Sequence, residues 1–482
     1  MVATEEPAQW VREPNDESGI PGRYWVDATT GAGMAALDGI WDEDIQDASI
    51  DTWHMVPNHL YGRVFGKAVT LIGTRVVNHR TVVPGGTQAT VRATYALEGS
   101  LWLEPEECRY DELRIQFWDQ EPWSAWAAYS YVLSKDFHES TIKRTTPDPI
   151  VAEFPGARIQ LEDATTIPMP SAGRPVELRD ESAIRIKFDQ PLSFEEITNV
   201  WLIPIELLII TSSRRLSGIR SLAVTNSTWQ VDGKDLKGPN KWMTIRTSHS
   251  SRDGMTDLSH HDTLYTLKDL DFPSLITRAS AIVNSHRYSI EQYASLMSRR
   301  QTRHVEAFMS WVRMVESFSR EGDEGVDGVP PEKLGDRDVL VSAVGSALQE
   351  MGWNARRRKP VKGIVNSILG PSLEQRLLAM EREAGHPVRS LIPEDDEDRW
   401  ANRVAYLRNI ASHGLPPSKE LVNDVRQVQG ATAALRVLFD TRWLVELGFP
   451  VESANQLVQR HRDYYSLRDV ARNTLLLDVE GD

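Results

Sequence analysis

Trp400-Ala401-Asn402-Arg403-Val404-Ala405-Tyr406-Leu407-Arg408-Asn409-Ile410-Ala411-Ser412-His413-Gly414 is the stretch on which the reading of the C-terminal half turns. Trp400, Val404, Leu407 and Ala411 recur at i, i+4, i+7 and i+11, the buried stripe of a helix. Arg408 lies about 65° from the centre of that stripe, at the edge of the buried face. His413 follows Arg408 at about 140° round the axis. The helix should stop there, because Gly414 suits the left-handed position after a helix and Pro416-Pro417 forbids propagation. His413 then falls on the last turn, where the helix dipole favours imidazolium. The residues alone leave two readings open: a helix terminator beside a snorkelling arginine, or a pair placed for chemistry. Arg299 and His304 share the spacing, inside a helix without a terminator.

Outward from this stretch, helical periodicity predicts helices near 336–352, 360–369, 372–384, 395–412, 418–447 and 451–475. Upstream, Ser289 with Gln292 reads as the cap of one long helix, along which Tyr293, Met297, Val305, Phe308, Val312 and Val315 form a stripe. Between them, Glu321-Gly322-Asp323-Glu324-Gly325-Val326-Asp327-Gly328 followed by Pro330-Pro331 reads as an acidic linker. Before about residue 265 the period is two. Ala89–Tyr95, Glu112–Trp118 and Ala183–Phe188 alternate apolar and polar, and Pro84-Gly85-Gly86 and Asp232-Gly233 mark turns. Ser193 with Glu196 forms a capping box that opens a single helix in this region. Most of the fifteen tryptophans lie before position 243 and are expected to fill an interior. The expected fold class is α+β multidomain: a β-rich N-terminal domain of sandwich or barrel type over 1–265, a helical connector and linker over 266–330, and an all-α bundle over 331–482.

Composition narrows the function. Cys108 is the only cysteine in 482 residues, which excludes a disulfide framework and a cysteine-built zinc site. Its neighbours Glu106 and Glu107 would raise a thiol pKa, so a cysteine nucleophile is not expected. The N-terminus has no signal-peptide pattern, and Val200–Ile210 is too short for a membrane span, so the expectation is a cytoplasmic protein without a membrane partner. His249, His260, His261 and Asp262 read as a solvated loop rather than a metal site. There is no phosphate-binding glycine loop and no nucleophile elbow. The net charge of −15 argues against a nucleic-acid partner until its distribution is considered. The first 330 residues hold −14 of it, and the rest is near neutral. Within that neutral part, Arg356-Arg357-Arg358-Lys359 with Lys362 is dense enough to attract phosphate locally, or is a solvated helix connection.

Arg408-Asn409-Ile410-Ala411-Ser412-His413 resembles the Arg-(Asn/Asp/His)-x-x-x-His motif of HEPN domains, all-α modules that are frequently metal-independent endoribonucleases. The layout resembles the ApeA family of bacterial anti-phage abortive-infection proteins, with a β-rich N-terminal domain and a C-terminal HEPN domain. The stretch from Leu60 to Gly73 is similar to that family's early hairpin. The resemblance implies RNA cleavage without metal or other cofactor, with His413 as general base or acid, Arg408 as phosphate clamp and Asn409 as an orienting group. Histidine titrates near neutrality, and arginine keeps its charge and its planar donor fork. It also implies two motifs facing each other in a homodimer or a higher even-numbered oligomer, and a phage component as trigger. Arg356, Arg357, Arg358, Lys359 and Lys362 would track the RNA backbone at the mouth of the cleft. The alternative from another class is a catalytically silent HEPN module that binds nucleotide or assembles subunits. A weaker third reading makes the Trp-rich domain a glycan binder.

Overall fold

The computed structural model describes residues 4–17, 19–39, 56–82, 86–133, 140–165, 178–247, 258–259, 262–298, 303–321, 331–359, 361, 371–392, 398–413 and 425–476. They divide into two compact units. The first comprises residues 1–209, 217–260 and 266–273, and the second comprises 210–216, 261–265 and 274–482.

The first unit is built on a 14-stranded antiparallel sheet. From one edge its strands are Ile150–Phe154, Ala157–Asp163, Ser182–Ser193, Arg109–Phe117, Ile219–Thr225, Met243–Thr247 and Tyr95–Gly99. They continue with Lys67–Ile72, His59–Val64, Glu6–Val11, Ile20–Val26, Gly33–Asp38, Gly86–Arg92 and Arg75–Val82. Alternation sets the faces: Leu113, Ile115 and Phe117 are buried while Arg114 and Gln116 between them are half-exposed. Around Trp10, seven strands curl about one core that includes Tyr24, Leu37, Leu60, Val69, Leu71, Val91 and Ala96. Gly86–Arg92 runs straight on into Tyr95–Gly99 through Ala93 and Thr94, whose N–H groups donate to Gly33 and Ile72 and bring this run of strands back on itself.

Turn chemistry closes the hairpins as the residues require. His59–Val64 and Lys67–Ile72 are antiparallel partners with Val64 opposite Lys67. The two turn residues, Phe65 and Gly66, both have positive φ, at 42° and 78°. Asp232-Gly233 does the same at 50° and 71°. None of the nine described tryptophans before position 243 is exposed; Trp10, Trp123, Trp126, Trp201 and Trp229 are buried, as expected of interior fillers. Short helices interrupt the sheet at Gln120–Ser124 (α1) and Phe194–Ile197 (α2). The Ser193–Glu196 capping box opens α2, which passes through one π-turn into Ile203–Ser213 (α3).

The second unit is all helical apart from its connecting segments. Its helices are Phe272–Ser285 (α4), Arg287–Ser298 (α5), His304–Glu321 (α6), Pro331–Glu350 (α7), Leu373–Glu383 (α8), Arg399–His413 (α9), Val425–Glu446 (α10), Val451–Arg460 (α11) and Tyr464–Thr474 (α12). An aromatic cluster of Tyr293, Trp311, Phe318, Phe439 and Trp443 joins α5, α6 and α10, with Tyr293 and Phe439 stacked at 5.2 Å.

Two helices read as single ones are divided. The stripe from Tyr293 to Val315 belongs to α5 and α6, and Ser289 is no cap. Helical hydrogen bonding already runs through His286, whose N–H donates to Ile282 and whose carbonyl accepts from Ile290, so Ser289 is buried in the first turn of α5. The span 451–475 breaks at His461, where the backbone turns extended at φ −66°, ψ 139°.

Candidate functional site

Arg408 sits two-thirds of the way along α9, where the buried stripe Trp400, Val404 and Leu407 ends its contact with the core. Its side chain is a third exposed. One guanidinium nitrogen, Nη2, donates to Glu316 Oε2 on α6 at 3.4 Å, and Nη1 donates to Asn409 Oδ1 at 3.1 Å. The other oxygen of Glu316 accepts from Arg320, one turn further along α6. A single carboxylate thus holds two guanidinium groups side by side. Asn409 is exposed, and its carbonyl accepts from Ser412 Oγ at 3.2 Å, a back-bond in the last turn of the helix. Position 413 is the last residue of α9; the His413 side chain and the expected terminator at Gly414, Pro416 and Pro417 lie outside the described residues.

This arrangement can bind an anion. Of the five donors of Arg408, two are engaged among the described residues, one on each terminal nitrogen. Neither Glu316 nor Arg320 was legible as part of the motif. Glu316 is 92 positions away from Arg408, and its i, i+4 pairing with Arg320 reads locally as an ordinary surface ion pair.

The basic run is divided in its roles. Arg356, Arg357 and Lys359 are exposed. Arg358 is half-buried and donates to Gln349 Oε1 at 2.6 Å and to the Gly345 carbonyl, so it ties this stretch to the end of α7. Lys362 lies outside the described residues. No hydrogen bond or ion pair among the described residues joins the run to Arg408 or Asn409.

A cleft of about 760 Å³ in the helical unit is not lined by Arg408 or Asn409. It lies among α6, α8 and the end of α10, with His286, Arg376, Arg389 and Arg442 in its wall. Its charges are largely answered internally. Arg442 pairs with Glu383 at 3.2 Å and with Glu446 at 2.5 Å. Glu381 accepts the backbone N–H groups of Val388 and Arg389, and burial pushes its carboxyl up to about 7.

His249, His260 and His261 lie outside the described residues. The Asp262 carboxylate pairs with Arg462 at 2.7 Å, and its carbonyl accepts from His461. Among the described residues no group of three or more His, Cys, Asp or Glu is placed to hold a metal ion. Burial pushes the Cys108 thiol up to about 11; Glu107 and Glu106 add to this as expected, but burial is the larger cause. No helix among the described residues is long and apolar enough to cross a membrane.

Residues 39–277 match the family model for ApeA N-terminal domain 1. The match ends before the motif on α9, and neither a curated protein nor a solved structure matches the chain. The strands from His59 to Thr247, including the hairpin turned by Phe65 and Gly66, lie within the matched residues, and over 39–277 the chain is similar to the ApeA N-terminal domain family.

Proposed function

We propose that the protein is an anti-phage defence effector and that its helical unit is a metal-independent HEPN-type endoribonuclease. The observation that carries this reading is Arg408, a third exposed beside Asn409 and five residues before His413 on the same helix, in a chain whose residues 39–277 match an ApeA N-terminal domain. In the proposed reaction the 2′-hydroxyl of RNA attacks the adjacent phosphorus. The new bond is from the 2′-oxygen to phosphorus, and the bond from phosphorus to the 5′-oxygen breaks. His413 takes the 2′ proton or delivers one to the leaving 5′-oxygen, and Arg408 neutralises the charge that builds on the phosphoryl oxygens. One histidine does not serve both ends of the displacement easily, so the active form is a homodimer or a higher even-numbered oligomer that pairs two motifs. Arg356, Arg357 and Lys359 draw in the RNA backbone. The acidic N-terminal part keeps RNA away until a phage component binds it, through repulsion over about 8–10 Å at physiological salt.

A second reading keeps the fold without the chemistry. The internal pairing of Arg408 with Glu316 would serve a silent HEPN module equally well. One experiment separates them: full-length protein is incubated with RNA in EDTA beside His413→Ala and Arg408→Ala. The expected outcome is cleavage leaving 2′,3′-cyclic phosphate ends, abolished in both variants, with circular dichroism unchanged. Losing a part-exposed ion pair costs only about 0–1 kcal/mol, so neither variant should unfold. Equal cleavage by all three proteins removes the assignment.

A further inference from the structure

We propose that Tyr406 and Arg320 are substrate-binding residues of this site: Tyr406 stacks on an unpaired base, and Arg320 holds the phosphate next to the one held by Arg408. The inference rests on the reading of Arg408 as a phosphate clamp and extends it to residues outside the motif.

Placement comes first. At 100° per residue, positions 406, 409 and 413 fall within about 60° of one another round α9, on the side away from Trp400, Val404 and Leu407. Tyr406 is 40% exposed there, the one large aromatic on the outward face of this helix. A lone exposed tyrosine means little by itself. Its position one turn from Asn409, on the face that also carries position 413, sets it apart.

The second observation is independent of the first. Glu316 engages Arg408 through one oxygen and Arg320 through the other, and the Arg320 side chain is 61% exposed. The shared carboxylate fixes two cationic forks side by side, open to solvent, at the border of α6 and α9. Two adjacent forks match the repeating phosphates of one strand, since guanidinium recognises phosphate oxygens in a planar fork. A strand passing from Arg320 over Arg408 and on round α9 past Asn409 comes to Tyr406, which lies about 160° round the helix from Arg408.

The chemistry favours an unpaired strand. In an A-form duplex the bases are stacked and their faces hidden, whereas a single strand offers a π-face to an aromatic side chain. Attack by a 2′-hydroxyl also needs the 2′-oxygen, phosphorus and 5′-oxygen in line, which a free strand reaches more readily than a duplex.

The test uses full-length protein carrying His413→Ala, so that RNA survives, and reads anisotropy of a short fluorescein-labelled single-stranded RNA of mixed sequence. Tyr406→Ala is expected to weaken binding about ten- to a hundred-fold, the range of one lost stacked base, while Tyr406→Phe binds as the parent does. Its affinity for the same RNA annealed to its complement should not change. Arg320→Ala should flatten the dependence of affinity on salt by about one phosphate contact. Arg408→Ala separates the two levels of the argument. If it weakens binding and Tyr406→Ala and Arg320→Ala do not, this inference falls and the site stands. If Arg408→Ala also binds as the parent does, or no RNA is bound at all, the site itself is wrong.

Discussion

His461 is held by both ring nitrogens. Nδ1 lies 2.9 Å from Arg214 Nη1 and accepts the Asp463 N–H, while Nε2 donates to the Asp262 carbonyl. A cation on one side and burial all round keep the ring neutral, and its pKa falls from 6.5 to about 4, burial being the larger cause. The unfolded chain therefore binds this proton more tightly than the folded one. The stability His461 contributes is complete above pH 6.5 and is lost as pH falls through the folded value near 4, about 3 kcal/mol in all. Glu381 runs the other way, since its raised carboxyl favours the fold below 4.5 and loses that benefit as pH rises through about 7. A difference between two proteins cancels the second trend. Unfolding free energies of the parent and His461→Asn, measured by denaturant at several pH values, should converge by about 3 kcal/mol as pH drops from 6.5 to 4; a constant gap would show that His461 does not titrate on unfolding. Little of this was legible, because Arg214 and His461 are 247 positions apart and meet only through the fold. The motif on α9 was legible because it is local: one helix, one stripe and one terminator.

At the scale of elements, α10 meets the end of α12 closely at Gly430. A Cβ there would stand 2.5 Å from Thr474 Oγ1 and 2.7 and 2.9 Å from the Leu475 backbone. Alanine gains about 1 kcal/mol of helix propensity over glycine, but backbone atoms cannot turn aside as a flexible side chain does. Overpacking outweighs propensity, and Gly430→Ala should lower stability by about 1–2 kcal/mol in thermal or urea unfolding; a rise would mean the two helices part freely. Periodicity located most of these helices because each buries a stripe. It joined α5 to α6, and α11 to α12, because the apolar stripe continues across both breaks. What divides α11 from α12 is specific: the ring of His461 accepts a backbone N–H just where the helix stops. The capping boxes at Ser193 and Ser372 formed as local chemistry requires, since their partners lie only three residues away.

Across the whole molecule, the helical unit is assembled from three stretches of chain: 210–216, 261–265 and 274–482. The first brings Arg214, at a left-handed φ of 54°, into a buried pair with Asp440. Burial pushes the Asp440 carboxyl up, and Arg214 and Arg436 oppose that rise. The second brings Tyr265 against Thr211 and Phe449. A chain beginning near residue 271 therefore keeps every helix from α4 on but lacks Arg214. Breaking one side of a buried pair costs about 3–5 kcal/mol, because the remaining charge stays in a dry site. Asp440→Asn should accordingly lower the melting temperature of the full-length protein and raise that of the 271–482 fragment. A decrease in both would mean that the pair does not govern the fragment.

The same interleaving orders events during synthesis. Arg214 leaves the ribosome more than two hundred residues ahead of Asp440, and at ~5–20 residues per second this is a wait of ten seconds or more. Through that interval an arginine destined for a dry site stays in water, and the helices that will enclose it do not yet exist. The unit that carries Arg408 and His413 is thus completed only after Asp440 has been made. Messages cut short, or ribosomes stalled before residue 440, release chains in which Arg214 has no Asp440 to meet.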